Sequence, residues 1–114
     1  MRVMIAIFIL VLSISAMSHE WKKIEGTYAV TSISFIDPPD HLPHDSHYRF
    51  SLIGNSAKDL YLAMKVTPEK DECTGAMAKN INDMQCLYFK GYSKYECHFS
   101  INISKQKIEY GVSC

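Results

Sequence analysis

Apolar residues recur at every second position through much of the chain, the spacing of strands that bury one face. Residues 60–66 (LYLAMKV) show it clearly, with Leu60, Leu62, Met64 and Val66 separated by Tyr61, Ala63 and Lys65. They predict a half-buried strand. Tyr48, Phe50 and Leu52 alternate with Arg49 and Ser51 before Gly54-Asn55-Ser56 turns the chain, and these two segments are expected to pair antiparallel. Upstream, residues 26–35 (GTYAVTSISF) are rich in β-branched positions and predict a first strand, ended by Pro38 and Pro39.

The sharpest pattern lies near the C-terminus, where Tyr95, Cys97, Phe99, Ile101 and Ile103 alternate with Glu96, His98, Ser100, Asn102 and Ser104. A two-residue turn at Lys105-Gln106 would set Ile103 opposite Ile108, Ile101 opposite Tyr110, Phe99 opposite Val112 and Cys97 opposite Cys114. Every opposed pair is then apolar or sulfur. Neither turn residue favours positive φ, so a longer turn with another register is the alternative. The helical candidate is residues 74–84 (TGAMAKNINDM), with Thr74 placed as a cap and Met77, Ile81 and Met84 apolar, but Gly75 and the asparagines limit it to a turn or two. Short consecutive strands that must hide one apolar face predict a mainly β architecture, either an antiparallel barrel or a strongly curved sheet.

Ahead of these elements, Met1 and Arg2 precede an apolar run through Val11, Leu12 and Ile14 that closes on Ala16-Met17-Ser18. This is the pattern of a secretory signal peptide, residues 1–18, leaving residues 19–114 as one domain. A membrane anchor needs about twenty apolar residues, and nothing downstream approaches that, so the expected product is extracellular with no membrane anchor. In an exported chain, Cys73, Cys86, Cys97 and Cys114 imply two disulfides. Four cysteines allow three pairings, and the hairpin register favours Cys97–Cys114 with Cys73–Cys86. Asn102-Ile103-Ser104 is a glycosylation sequon, which places Asn102 at the surface if it is used.

Composition narrows the function classes. Twelve basic groups balance 12 acidic ones and 47% of residues are hydrophobic, which argues for a globular domain and against a disordered tail or an acidic scavenger. Nucleic acid is not an expected partner, because Lys90, Lys94, Tyr88, Tyr92 and Tyr95 are interspersed with Glu96 in an exported chain. Residues 40–47 (DHLPHDSH) carry three histidines with Asp40 and Asp45, donors suited to zinc or copper. Pro38, Pro39 and Pro43 prevent the helix that would align the rings, so a solvated loop is expected and no metal. Neither Gly-x-Ser-x-Gly nor His-Glu-x-x-His occurs, and Asp59 with residues 69–72 reads as surface charge. No enzymatic activity and no cofactor are expected.

Residues 21–30 (WKKIEGTYAV) resemble the opening of lipocalins, with Gly26-Thr27-Tyr28 in the place of the family's Gly-x-Trp and tyrosine in the place of tryptophan. Residues 35–47 look like the loop over the barrel mouth, 48–52 like the second strand, and 59–66 like the third. Arg49 lies close to the family's usual interval after Gly26, and Asp71-Glu72-Cys73 resembles its acidic-cysteine step. The resemblance spans residues 21–73. It implies an antiparallel lipocalin-like barrel or partial barrel stabilised by disulfides, and a secreted carrier of a small hydrophobic ligand of the odorant, fatty acid or retinoid class. Tyr28, Val30, Phe50, Leu62, Met64, Val66 and Phe89 would line the cavity, and Cys73 would pair with Cys114. The chain is short for an eight-stranded calyx, and an incomplete barrel exposes an edge strand through which it would self-associate.

The second half resembles the cystatin superfamily instead. Its cysteines are confined to the C-terminal portion, with a Cys97-His98-Phe99-Ser100-Ile101 run and a terminal cysteine. Neither Gln-x-Val-x-Gly nor a Pro-Trp hairpin is present, and the prolines leave no room for a long helix after the first strand. The alternative is therefore a cystatin-like secreted protein without papain-type inhibition.

Overall fold

The computed structural model describes residues 20–32 and 43–111. Residues 1–19, with the expected signal peptide, residues 33–42, and residues 112–114, with Val112 and Cys114 of the expected hairpin pairs, lie outside the described residues. In chain order the elements are β1 (Gly26–Thr31), β2 (His47–Ile53), α1 (Gly54–Ala63), β3 (Glu69–Lys70), β4 (Met77–Ile81), β5 (Met84–Phe89), β6 (Lys94–Asn102) and β7 (Lys107–Glu109). The described strands form one antiparallel sheet in the order β1-β2-β6-β5-β4-β3, with β7 also pairing β6. Among the described residues the sheet ends at β1 on one side and β3 on the other, so the expected mainly β antiparallel architecture is present but is not closed into a barrel.

Residues 60–66 are not a strand. The chain enters α1 directly from β2, turning at Gly54 with φ +56°, where a Cβ would run into the Glu25 carboxylate. Ala57, Tyr61 and Met64 lie at helical spacing and are the buried residues here, whereas Leu62 is 50% exposed. The alternation in 60–66 overlaps a helical stripe, and packing decides between them. Two residues, Glu25 and Lys79, fix the helix ends. At the start, Glu25 Oε2 accepts the Asn55 amide at 3.3 Å, while the Glu25 amide donates to Ser56 Oγ at 2.7 Å. At the end, Lys79 Nζ donates to the carbonyls of Tyr61 and Met64 at 3.0 and 3.1 Å and stands 4.3 Å from the Tyr61 ring centre. Carbonyls at a helix C-terminus have no partner within the helix, and a lysine supplies one.

The expected helix at residues 74–84 is a β-hairpin. Met77 to Ile81 pairs with Met84 to Tyr88, and Asn82 makes the turn at φ 51°, a conformation asparagine tolerates better than most residues. The C-terminal hairpin forms in a different register from the one expected: Ile101, not Ile103, stands opposite Ile108. The turn occupies residues 103–106, because Asn102 Oδ1 accepts from Ser104 Oγ and from the Lys105 amide, both at 3.1 Å, and stops the strand. A side-chain acceptor that substitutes for a backbone one sets the length of this loop.

The bridge between Cys86 and Cys97 corrects both expected pairings, Cys97–Cys114 and Cys73–Cys86. These two residues stand directly opposite each other in the β5–β6 ladder and are fully buried. Cys73 is disulfide-bonded as well. The main core forms where α1 lies over this bridge: Ala57, Tyr61 and Met64 pack against Leu52, Cys86 and Cys97, flanked by Tyr88 and Tyr95. A smaller cluster of Ala76, Ala78 and Leu87 with Phe89 is separate from it.

Candidate apolar binding face

The register determines which side chains share the face that carries α1. Tyr28 stands opposite Phe50 and Phe50 opposite Phe99; Val30 stands opposite Tyr48, Tyr48 opposite Ile101, and Ile101 opposite Ile108. Residues directly opposite one another point to the same side of a sheet, so this row continues the side that includes Leu52 and Cys97. The contacts of α1 are with β2, β5 and β6, and the helix packs at the Leu52 and Cys97 end. Beyond it the aromatic side chains form a chain of their own. Tyr28 stacks on Tyr48 with ring centres 5.1 Å apart, Tyr48 meets Phe50 at 4.8 Å, and Phe50 stacks on Phe99 at 4.9 Å. Tyr28 remains 67% exposed and Val30 49% exposed.

At the far side of this row the sheet has a seam. Strands β5 and β7 both pair with β6, one after the other along its length. The gap between them opens into a notch of about 620 Å³ lined by Ile81, Asn82, Asp83, Met84, Gln106, Lys107 and Ile108. Ile108 is 47% exposed. The aromatic row is apolar with tyrosine hydroxyls at its exposed end, whereas the notch mixes Ile81, Met84 and Ile108 with the amides of Asn82 and Gln106 and the charges of Asp83 and Lys107, polar groups suited to orienting a hydrophobic guest.

Residues on the alternate positions of β1 and β2 brace the row. Arg49 donates from Nε to Thr31 Oγ1 at 2.7 Å, from Nη1 to the Gly111 carbonyl at 2.7 Å and from Nη2 to the Ser32 carbonyl at 3.4 Å. Buried His47 shares a hydrogen bond between Nδ1 and Ser46 Oγ at 2.7 Å and donates from Nε2 to Glu109 Oε2 at 2.9 Å. Asn102 Nδ2 donates to the other Glu109 oxygen at 3.2 Å. The His47 hydrogen bond, aided by Asn102 and by the charges of His47 and Lys105, lowers the Glu109 pKa against the opposing effect of burial.

Three of the residues expected to line a cavity come together here, namely Tyr28, Val30 and Phe50. The other four do not. Leu62 is exposed on α1, Met64 is buried beneath the helix end, Val66 is 37% exposed beyond it, and Phe89 packs with Ala76, Ala78 and Leu87. All four were placed by strand alternation or assumed closure, and neither applies at their positions. Tyr48, Phe99, Ile101 and Ile108 belong to the face instead, and their period-two spacing with Phe50 and Cys97 was the signal that marked them.

Asn102 is only 5% exposed, and its Nδ2, the atom that would carry a glycan, is engaged by Glu109. The Asn102 side chain is therefore not at the surface where a used sequon would place it, while Ile103 and Ser104 are exposed. No group of histidine, cysteine or carboxylate side chains that would hold a metal occurs among the described residues. His44 is exposed and His47 is committed to Glu109. No helix of the described residues is long and apolar enough to cross a membrane. Comparison with known proteins finds no matching family model, no matching curated protein and no matching solved structure.

Proposed function

We propose that the chain is an exported binding protein that carries a small hydrophobic ligand, of the odorant, fatty acid or retinoid class, on the open aromatic face rather than inside a closed barrel. The observation that carries this reading is the Tyr28–Tyr48–Phe50–Phe99 row, which runs from Phe99, packed against the core under α1, through half-buried Phe50 and Tyr48 to an exposed Tyr28. Exposed apolar area of this kind is costly to keep in water and is characteristic of binding surfaces. The apolar leader supports export. Tyr28 stacks on Tyr48 and is the most exposed ring of the row, so a guest would lie along the row with its polar end at a tyrosine hydroxyl and its tail toward the notch.

Burying about 300 Å² of apolar guest surface supplies about 7 kcal/mol before association costs, at roughly 25 cal/mol per Å². Those costs leave affinity in the micromolar range. The test is displacement of a fluorescent apolar probe by fatty acids and by small aromatic odorants, with the oxidised protein. Tyr28→Ala and Phe99→Ala are expected to weaken binding by about tenfold or more each, whereas Leu62→Ala and Phe89→Ala leave it unchanged. Absence of probe binding, or equal loss in all four variants, overturns the proposal. The cystatin-like alternative draws on one helix packed against an antiparallel sheet, and there neither probe binding nor inhibition of a papain-like protease is expected.

A further inference from the structure

The two ends of the sheet are unlike. The β3 end is two residues long and both are charged, Glu69 and Lys70. The β1 end is six residues, Gly-Thr-Tyr-Ala-Val-Thr, with no charge and no proline, and its first five positions are exposed. Among the described residues no strand pairs β1 on its outer side. Short, charged edges resist pairing with another chain, whereas long uncharged ones invite it. Among the described residues the β1 edge carries none of the usual protections.

The register also shows which backbone groups that edge presents. The Ile53 amide donates to the Glu25 carbonyl at 3.0 Å, and Glu25 lies opposite Ile53 in the continuation of the β1–β2 ladder. In an antiparallel pair the groups of alternate residues point inward and outward. Thr27, Ala29 and Thr31 therefore bond β2, and the amides and carbonyls of Tyr28 and Val30 point away from the sheet. Across the next interface the Ile103 amide donates to the Ser46 carbonyl at 3.0 Å, which assigns Tyr48, Phe50 and Leu52 to β6 and agrees with the same alternation.

We infer that two copies of this chain pair through β1, antiparallel about a two-fold axis at Ala29, so that each Tyr28 exchanges both backbone hydrogen bonds with Val30 of the other copy. The pattern is self-complementary, as an isologous contact must be. It places each Tyr28 ring beside a Val30 side chain on the aromatic side, a favourable cross-strand combination, and it joins the two aromatic rows into one continuous face. Because the other outer strands, β3 (Glu-Lys) and β7 (Lys-Ile-Glu), are short and charged, pairing stops at two copies. Self-pairing needs no ligand and is independent of the proposed carrier role.

The test uses the purified, oxidised protein as its host cell processes it, examined without ligand by sedimentation velocity from low to high micromolar concentration. A reversible monomer–dimer equilibrium is expected. Val30→Pro removes an outward amide but no bond to β2, so it is expected to raise the dissociation constant by about tenfold or more while near-ultraviolet circular dichroism stays unchanged. Hydrogen exchange supplies a second measurement in the unmodified chain. The Tyr28 and Val30 amides should gain protection as concentration rises, while Thr27, Ala29 and Thr31 are protected throughout. A monomer at every concentration, an assembly that grows past two copies, or a dimer in which Tyr28 and Val30 exchange freely overturns the inference.

Discussion

Glu109 shows how a single side chain ties two strands together. Its carboxylate accepts from His47 on β2 and Asn102 on β6, and those contacts hold its pKa below the usual carboxylate value. A depressed carboxylate pKa contributes stability that is present above the unfolded-state pKa and lost as pH falls through the folded one. Urea midpoints measured from neutral pH into the acid range should therefore fall, and Glu109→Gln should flatten that fall on the acid side. Asn102 serves the same junction and also arranges the turn after β6. Asn102→Ala removes these contacts together, taking one donor from the half-buried Glu109 and the acceptor that shapes the turn. It is expected to cost about 1–3 kcal/mol in equilibrium unfolding. Nothing in the sequon text distinguishes an asparagine that carries a glycan from one that organises a turn, since the distinction depends on what faces its Nδ2.

At the scale of elements, period-two spacing identified the strands on either side of the aromatic row, and failed where two periods overlap. In residues 57–66 the set Leu60, Leu62, Met64 and Val66 fits a strand, while Ala57, Tyr61 and Met64 fit a helix. The helix prevails because it lets three small or apolar residues cover the Cys86–Cys97 bridge. Its C-terminal end depends on a residue from β4. Lys79→Met keeps the apolar stem but removes the donor to the Tyr61 and Met64 carbonyls, and should destabilise the fold by about 1–2 kcal/mol in urea unfolding. Asn82-Asp83 illustrates the converse: a local turn signal was present within a segment read as helical, and pairing of Met77 to Ile81 with β5 gives it effect.

For the whole molecule, the open sheet and the cross-strand bridge replace the closed barrel. Of the three possible pairings, the Cys86–Cys97 bridge is compatible with the one that the lipocalin resemblance implied, Cys73–Cys114. A non-reducing peptide map is expected to recover Cys86–Cys97 and Cys73–Cys114, and a fragment linking Cys97 to Cys114 would contradict the β5–β6 register. The sheet distributes its apolar surface unevenly, sealed by α1 at one end and open along the aromatic row at the other. Binding and self-association are both assigned to that open side and its β1 edge.

The sequence by itself determined the local choices: a β-rich domain, disulfides in place of free thiols, and alternation that sets Tyr48, Phe50 and Leu52 on one face and Cys97, Phe99 and Ile101 on another. Each follows from side-chain type and spacing within a few residues. Tertiary structure alone decided that those two faces are the same face, that Cys86 rather than Cys114 meets Cys97, and that residues 54–63 coil over the bridge. Long-range register depends on which strands become neighbours. A shift of two residues preserves the alternation, so the pattern cannot select among partners that satisfy it equally well.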